Sequence, residues 1–223
     1  MIKRIAFDGE GGHKVEGDLA SPPGDAHAAG VVLVQEYWGV NDHVRDVATR
    51  LAAEGFRVLA VDLYHGVVTK DPAEAGKMLG ALDWGHAVSD IAAAVKHLQE
   101  HPSSNGKVAV MGFCMGGALS FAAACNIAGL SAVVPFYGVP QGVDYAKVTA
   151  PIMAHFAKVD QWAKPELGQD IQTQITGHGG HMELFVYDEQ HAFFNDTRAD
   201  VYGEASAKLA WQRSIGFLKQ HLA

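Results

Sequence analysis

Ser103-Ser104-Asn105-Gly106-Lys107-Val108-Ala109-Val110-Met111-Gly112-Phe113-Cys114-Met115-Gly116-Gly117 is the stretch on which the fold turns. A turn signal leads into a β-branched run and then into Gly112-Phe113-Cys114-Met115-Gly116. Ala118-Leu119-Ser120-Phe121-Ala122-Ala123-Ala124 continues it with good helix formers. The order turn, strand, Gly-x-Cys-x-Gly, helix is the context of a nucleophile elbow, with sulfur where such elbows usually carry oxygen. A sharp strand-to-helix turn leaves no room for side chains two residues before and two after the nucleophile. The thiol is exposed at the end of the strand, and the positive dipole end of the following helix favours its thiolate. By itself the motif fits an ordinary strand–helix turn around an inert, buried cysteine equally well. The rest of the chain has to decide.

Outward from the elbow, strand and helix patterns alternate. Val31-Val32-Leu33-Val34 is an unbroken apolar run of the kind that makes a central parallel strand, and it ends in Gln35-Glu36-Tyr37-Trp38-Gly39. Asp42 is the expected N-cap of a helix that buries Val44, Val47 and Leu51 and that Gly55 closes. A strand follows over 57–62, an amphipathic helix over 72–82, and a stronger helix marked by Val88, Ile91, Val95 and Leu98. After the elbow, 131–136, 152–156 and 182–187 read as strands, with helices over 164–176 and 201–221. Residues 3–8 and 14–19 form a ribbon that needs a larger sheet to be stable. The pattern predicts one α/β domain over residues 1–223, with a mostly parallel central sheet and helices on both faces.

A chain of 223 residues supports one well-buried core and is too short for two large domains. Its 48% hydrophobic and 19% charged residues are globular values. The formal net charge is −8 and lysines and arginines do not cluster, which argues against nucleic acid and anionic membranes as partners. The beginning, Met1-Ile2-Lys3-Arg4-Ile5-Ala6-Phe7-Asp8, carries no apolar signal region, and there is no run of about twenty apolar residues, so a cytoplasmic location is expected. The two cysteines, Cys114 and Cys125, lie on the elbow and its helix. On a continuous helix they stand roughly 16 Å apart, beyond the ~7 Å Cα separation that a disulfide tolerates. Both are expected to stay free, Cys125 as a small apolar core residue.

A thiol nucleophile needs a base, and the base an orienting acid. On this fold class the chain order is nucleophile, acid, base, with acid and base in loops after later strands. Asp160 follows the strand over 152–156 and His191 the strand over 182–187. Asp160 would fix the imidazole tautomer, and His191 would take the thiol proton. The chain has 12 histidines, so His191 has competitors. His155 lies inside an apolar strand and reads as a hydrogen-bonded core residue; Asp188 shares the loop of His191. His178-Gly179-Gly180-His181 lacks an adjoining carboxylate or cysteine at zinc-like spacing, so no metal is expected, and no cofactor is called for. Two backbone N–H groups, of Tyr37 and Met115, are the expected oxyanion donors. Glu36, at the end of an apolar strand, is either a solvated loop carboxylate or a group facing Cys114.

Taken together, these residues resemble the dienelactone hydrolase family of the α/β-hydrolase superfamily. The matching pieces are Gln35-Glu36-Tyr37-Trp38-Gly39-Val40-Asn41, Asp62-Leu63-Tyr64, Ser104-Asn105-Gly106-Lys107-Val108, Gly112-Phe113-Cys114-Met115-Gly116-Gly117, Phe136-Tyr137-Gly138-Val139, Asp160 and His191. The resemblance implies a carboxymethylenebutenolidase-like enzyme with a Cys114–His191–Asp160 triad. It also implies that Glu36 holds the thiol at rest and helps form the thiolate, and that a small lactone or ester forms an acyl-thiol intermediate. It departs from the family at the substrate's carboxylate. One family arginine stands four residues after the catalytic histidine, where this chain has Asn195. The segment between Asp62 and Val88 supplies no arginine, only Lys70 and Lys77. Tyr37, Trp38, Trp84, Tyr137, Phe193 and Phe194 are candidates for an aromatic pocket. The expected partner is a small molecule, and the expected state a monomer or small homo-oligomer. The rival readings are a redox thiol protein and a ligand-binding member of the fold without turnover.

Overall fold

The computed structural model describes residues 2–25 and 27–223; Met1, in the opening stretch, and Ala26 lie outside the described residues. Among the described residues eight strands form one sheet in the order β1-β2-β4-β3-β5-β6-β7-β8. β1 (Ile2–Asp8) and β2 (Lys14–Ala20) are the predicted ribbon, and it gains its larger sheet by pairing antiparallel with β4 (Arg57–Val61). β3 (Ala28–Val34), β4, β5 (Ser104–Phe113), β6 (Ala132–Phe136), β7 (Ile152–Val159) and β8 (Met182–Gln190) are mutually parallel. Every residue of β3, β4 and β6 is buried, which requires cover on both faces of the sheet.

That cover comes from α1 (Asp42–Ala53), α3 (Trp84–Gln99), α4 (Met115–Asn126), α5 (Pro165–Gly177) and α6 (Glu204–Leu222). A short, mostly exposed α2 (Pro72–Ala81) precedes α3. Among the described residues no helix is long and apolar enough to cross a membrane. α4 is buried over almost its whole length, because alanines and glycines let it lie close on β5 and β6. Cys125 sits on it as a buried free thiol.

Element boundaries differ from the sequence reading where a partner overrides a local signal. The N-cap of α1 is Asn41, whose side chain accepts from the Val44 N–H at 3.1 Å, and not Asp42, which stands in the first turn. The turn signal before the elbow is drawn into β5. Ala28 pairs with Ser104 and Gly30 with Val108, so Asn105-Gly106-Lys107 bulge against one residue of β3. β7 and β8 each run three residues past the predicted ends at 156 and 187, to Val159 and Gln190; Ala157 is still buried, and the tips beyond it pair with one another.

His155, in the middle of β7, is a core residue as expected. Its Nδ1 lies 2.9 Å from the Tyr187 hydroxyl and its Nε2 3.0 Å from that of Ser214. Ser214 also donates to the Ala210 carbonyl, and Arg213 donates to Tyr187. These contacts fit a single directed chain: Arg213 to Tyr187 to His155 Nδ1, then Nε2–H to Ser214 to Ala210. Burial, and then the nearby Arg213 charge, push the His155 pKa from 6.5 down to about 3. The unfolded chain therefore binds this proton at higher pH than the folded one. The stability that neutral His155 confers is complete above pH 6.5 and is lost as the pH falls toward 3. Between pH 6.5 and about 5, the native chain should lose about 2 kcal/mol more unfolding free energy than His155→Gln. Urea titrations of both proteins at the two pH values measure this, and equal losses would refute it.

Candidate active site

Cys114 is the last residue before α4 and has φ +56. A β-carbon at Gly112 would overlap the Gly116 carbonyl, and one at Gly116 would overlap the carbonyls of Val34 and Gln35. The two glycines flanking the elbow thus let β5, the first turn of α4 and the end of β3 come together at backbone distance. This places Met115, at the helix terminus where N–H groups lack intrahelical acceptors, beside the loop that carries Glu36 and Tyr37. The Tyr64 hydroxyl donates to Met115 Sδ at 3.2 Å and holds that side chain away.

The acid and base meet because β7 and β8 extend together. Val159 pairs with Gln190, and the His191 N–H donates to the Val159 carbonyl at 3.3 Å, so Asp160 and His191 leave the sheet side by side. His191 Nδ1 donates to Asp160 Oδ2 at 2.5 Å. The other Asp160 oxygen accepts from the N–H groups of Trp162 (2.8 Å) and Ala163 (2.9 Å). Burial works against the Asp160 carboxylate, but the hydrogen bond from His191, its charge and the two N–H groups outweigh this and hold its pKa below the ordinary value. Burial also works against His191 as a cation, yet its hydrogen bonds to Asp160 and Cys114 push it up to about 10. With Nδ1 committed to Asp160, Nε2 is the nitrogen left for the thiol. The competing Asp188 is an exposed residue paired with Lys158 at 3.1 Å. The described residues hold no cluster suited to a metal ion.

Glu36 is buried, and its Oε2 accepts from Asn195 Nδ2 at 2.8 Å. Cys114 is near enough to His191 to help raise its pKa, whereas Glu36 Oε1 has no hydrogen-bond partner among the described residues. Contrary to the implied resting contact, Glu36 is therefore held by Asn195 and makes no hydrogen bond to the thiol. Asn195, expected to face substrate, is itself buried and locked, since its Oδ1 accepts from the N–H (3.1 Å) and hydroxyl (2.7 Å) of Thr197.

The aromatic candidates divide. Tyr37 packs against Trp38 with ring centroids 4.3 Å apart and the planes tilted by 55°, and the Tyr137 ring lies 5.0 Å from that of His191. Phe193 and Phe194 are core residues: Phe194 stacks on Phe113, under Arg50, and Phe193 packs on Tyr187. Trp84 lines a cavity of about 620 Å³ with Val88, Ala122 and Val139, and Cys114 is not part of its lining. Trp162, which the sequence reading does not single out, is 73% exposed and sits 5.2 Å from the His191 ring. Its only signal in the sequence is its position two residues after Asp160. Among the described residues, three of the four non-glycine residues with positive φ, Cys114, Tyr137 and Ala192, are in or beside this site, where backbone strain tends to collect.

A sequence profile of the dienelactone hydrolase family matches residues 15–222. "Protein usf" of Aquifex pyrophilus is 33% identical, with all of both chains covered. The carboxymethylenebutenolidase of Pseudomonas putida is 30% identical over 98% of this chain and 96% of its own. A solved structure assigned as a dienelactone hydrolase of Klebsiella pneumoniae superimposes with a TM-score of 0.87 at 25% identity, covering 99% of each chain. The fold is that of the α/β-hydrolases.

The two thiols should differ sharply in reactivity. Burial, and then the charge of Asp144, raise the Cys125 pKa to about 11, and its side chain is enclosed; Cys114 is partly exposed beside His191. Brief iodoacetamide treatment near pH 8 should alkylate Cys114 at least ~100-fold faster than Cys125. Peptide mass mapping reads the ratio, and equal labelling would remove the electrostatic distinction between them.

Proposed function

The chain belongs to the dienelactone hydrolase family, and on that premise we propose that it hydrolyses a small lactone or carboxylic ester through Cys114, His191 and Asp160. The observation that carries this reading is the 2.5 Å hydrogen bond that holds His191 on Asp160 beside a cysteine at a strained elbow. Cys114 Sγ attacks the carbonyl carbon, and the π pair moves onto the carbonyl oxygen. The N–H groups of Met115 and Tyr37 receive that oxyanion. As the carbonyl reforms, the C–O bond to the alcohol breaks and His191 Nε2 gives the leaving oxygen its proton. Water then attacks the acyl-thiol, His191 takes a proton from it, and the carboxylic acid and the thiol are released. From a lactone the product is one hydroxy acid, because the leaving oxygen stays tethered.

Each part of the site supports a step. Asp160 holds Nδ1–H, so Nε2 always faces the sulfur. An imidazole whose pKa is raised to about 10 carries its proton at neutral pH, ready for the leaving oxygen. A redox thiol would want a resolving partner, and Cys125 is enclosed within α4. A member of the fold without turnover would want the acid–base pair broken, and Asp160 and His191 are hydrogen-bonded at 2.5 Å.

The substrate's charge is a separate matter. The residue at the family's arginine position is a neutral amide turned onto Glu36. Arg198, three residues further on, is the cation whose charge reaches Tyr37 and Tyr137, and it is ion-paired with Asp200 at 2.6 Å.

Two outcomes test the reading. His191→Ala should lower kcat/KM for an aryl ester by roughly 10²–10⁴-fold with the fold retained by circular dichroism; a folded variant with near-native turnover would move the base elsewhere. A carboxylated dienelactone should be preferred over its neutral methyl ester by less than about a hundredfold, because one bidentate charge-assisted contact is missing. A larger ratio in kcat/KM would reveal a strong cation at the substrate.

A further inference from the structure

The His191 imidazole meets the Asp160 carboxylate on Nδ1, the Cys114 thiol, the Tyr137 ring at 5.0 Å and the Trp162 ring at 5.2 Å. The two aromatic neighbours differ in access. Tyr137 is fully buried, whereas Trp162 is 73% exposed. An indole that packs on the imidazole and is also open to water borders the route by which substrate reaches the base. Leaving a tryptophan in water forgoes the burial that its size would gain. The triad does not explain that cost. Asp160 is held by the backbone N–H of Trp162, which any residue but proline supplies. Nor does the imidazole cover the indole, since the two planes meet at 69°. The ring is carried on fixed backbone. β7 pairs with β8 as far as Val159, and Asp160 Oδ1 closes the next turn by accepting from Trp162 and Ala163. Val159, three residues earlier, is a second large apolar side chain left in water at this end of the sheet, 62% exposed.

The path of the proton decides which half of the substrate comes to this ring. The carbonyl oxygen is directed to the Met115 and Tyr37 N–H groups, and the acyl group stays on the sulfur. The leaving oxygen must come within about 3 Å of His191 Nε2 to take its proton. Whatever that oxygen carries is therefore brought to the imidazole. Aromatic rings pack with centroids about 4.5–7 Å apart, and the indole stands within that range of the base. A ring bonded directly to the leaving oxygen comes within reach of the open indole. A methyl or ethyl group is too small to cover it. An ammonium would meet the protonated imidazole beside the indole, and a carboxylate gains nothing from an indole and a valine. A flat, neutral aromatic ring fits.

We propose that the open face of Trp162 is the subsite for the leaving alcohol, and that it selects esters whose leaving oxygen is borne by an aromatic ring. This subsite rests on the thiol-hydrolase reading of Cys114. The experiment compares kcat/KM for 2-naphthyl acetate and phenyl acetate, each divided by its hydroxide-catalysed rate constant. Both leave the same acetyl group on the sulfur, so their ratio reads the leaving side alone. The native chain should prefer the naphthyl ester by about 5-fold or more, because the second ring adds apolar contact on the indole. Trp162→Ala should lose more than half of that ratio, and Trp162→Phe, which keeps a smaller flat face, should lose less than Trp162→Ala. An indole that merely props His191 would slow both acetates alike and leave the ratio unchanged. A native ratio below about 5, a ratio more than half retained in Trp162→Ala, or a Trp162→Phe ratio no higher than that of Trp162→Ala overturns the subsite. A native chain that hydrolyses neither acetate, or no faster than Cys114→Ala does, overturns the thiol-hydrolase reading instead, and the subsite with it.

Discussion

Three backbone segments meet around Cys114 at a distance no side chain would permit, and the site depends on that contact. The first turn of α4 lies on the carbonyls of Val34 and Gln35, and the end of β6 lies on the elbow through Gly117 and Gly138. The price is a cysteine and a tyrosine with positive φ, a conformation that costs of order 1–3 kcal/mol at each non-glycine residue. The surrounding core offsets it. β3, β5 and β6 are buried on both faces where they approach the elbow, and α4 is enclosed along its length. A strained elbow at the edge of a sheet would relax; at its centre it cannot move without opening the core. The same contact brings together Glu36, Tyr37, Met115 and Tyr137, which are far apart in the chain.

The acid–base pair is set by a different device, strand length. β7 and β8 run on past the buried core together, and their last paired residues are Val159 and Gln190. Asp160 and His191 are the next residue on each strand, so the sheet register itself sets their juxtaposition. Two N–H donors from the loop then hold one Asp160 oxygen, and the other is left for the imidazole. Trp162 supplies one of those donors and also packs its ring on His191. The acid is therefore fixed from the backbone side, and the histidine takes its orientation from it.

What the sequence makes legible is what is local or ordered along the chain. Gly112 and Gly116 at fixed offsets mark the elbow, and the chain-order rule then reaches Asp160 and His191. His155 is separable from His191 because one lies in an apolar run and the other after one. What depends on a distant partner is not legible. Asn41 and Asp42 are equally good caps by type, and only the structure shows which side chain accepts from Val44. The end of β7 looks like loop until β8 pairs with it. Phe193 and Phe194 look like pocket residues beside His191, yet the chain turns at Ala192 and buries both. Asn195 carries no mark of its contact with Glu36, which spans 159 residues of sequence.

His155 and His191 show how far partners, rather than residue type, assign chemistry. Both are shielded from water on adjacent segments of one sheet, and burial alone would lower the pKa of each. His155 meets two hydroxyls and a nearby arginine. Hydroxyls hydrogen-bond either form of the ring, so nothing opposes desolvation, and the ring stays neutral down to about pH 3. His191 meets a carboxylate at 2.5 Å and a thiol, and these more than reverse the same penalty, so it keeps its proton to about pH 10. The first histidine is neutral at neutral pH, with both ring nitrogens committed to hydroxyls, so it serves as a spacer that joins β7, β8 and α6. The second holds a proton next to Cys114, the partly exposed cysteine of the two. Exchanging their partner sets, with both rings left in place, would exchange their roles.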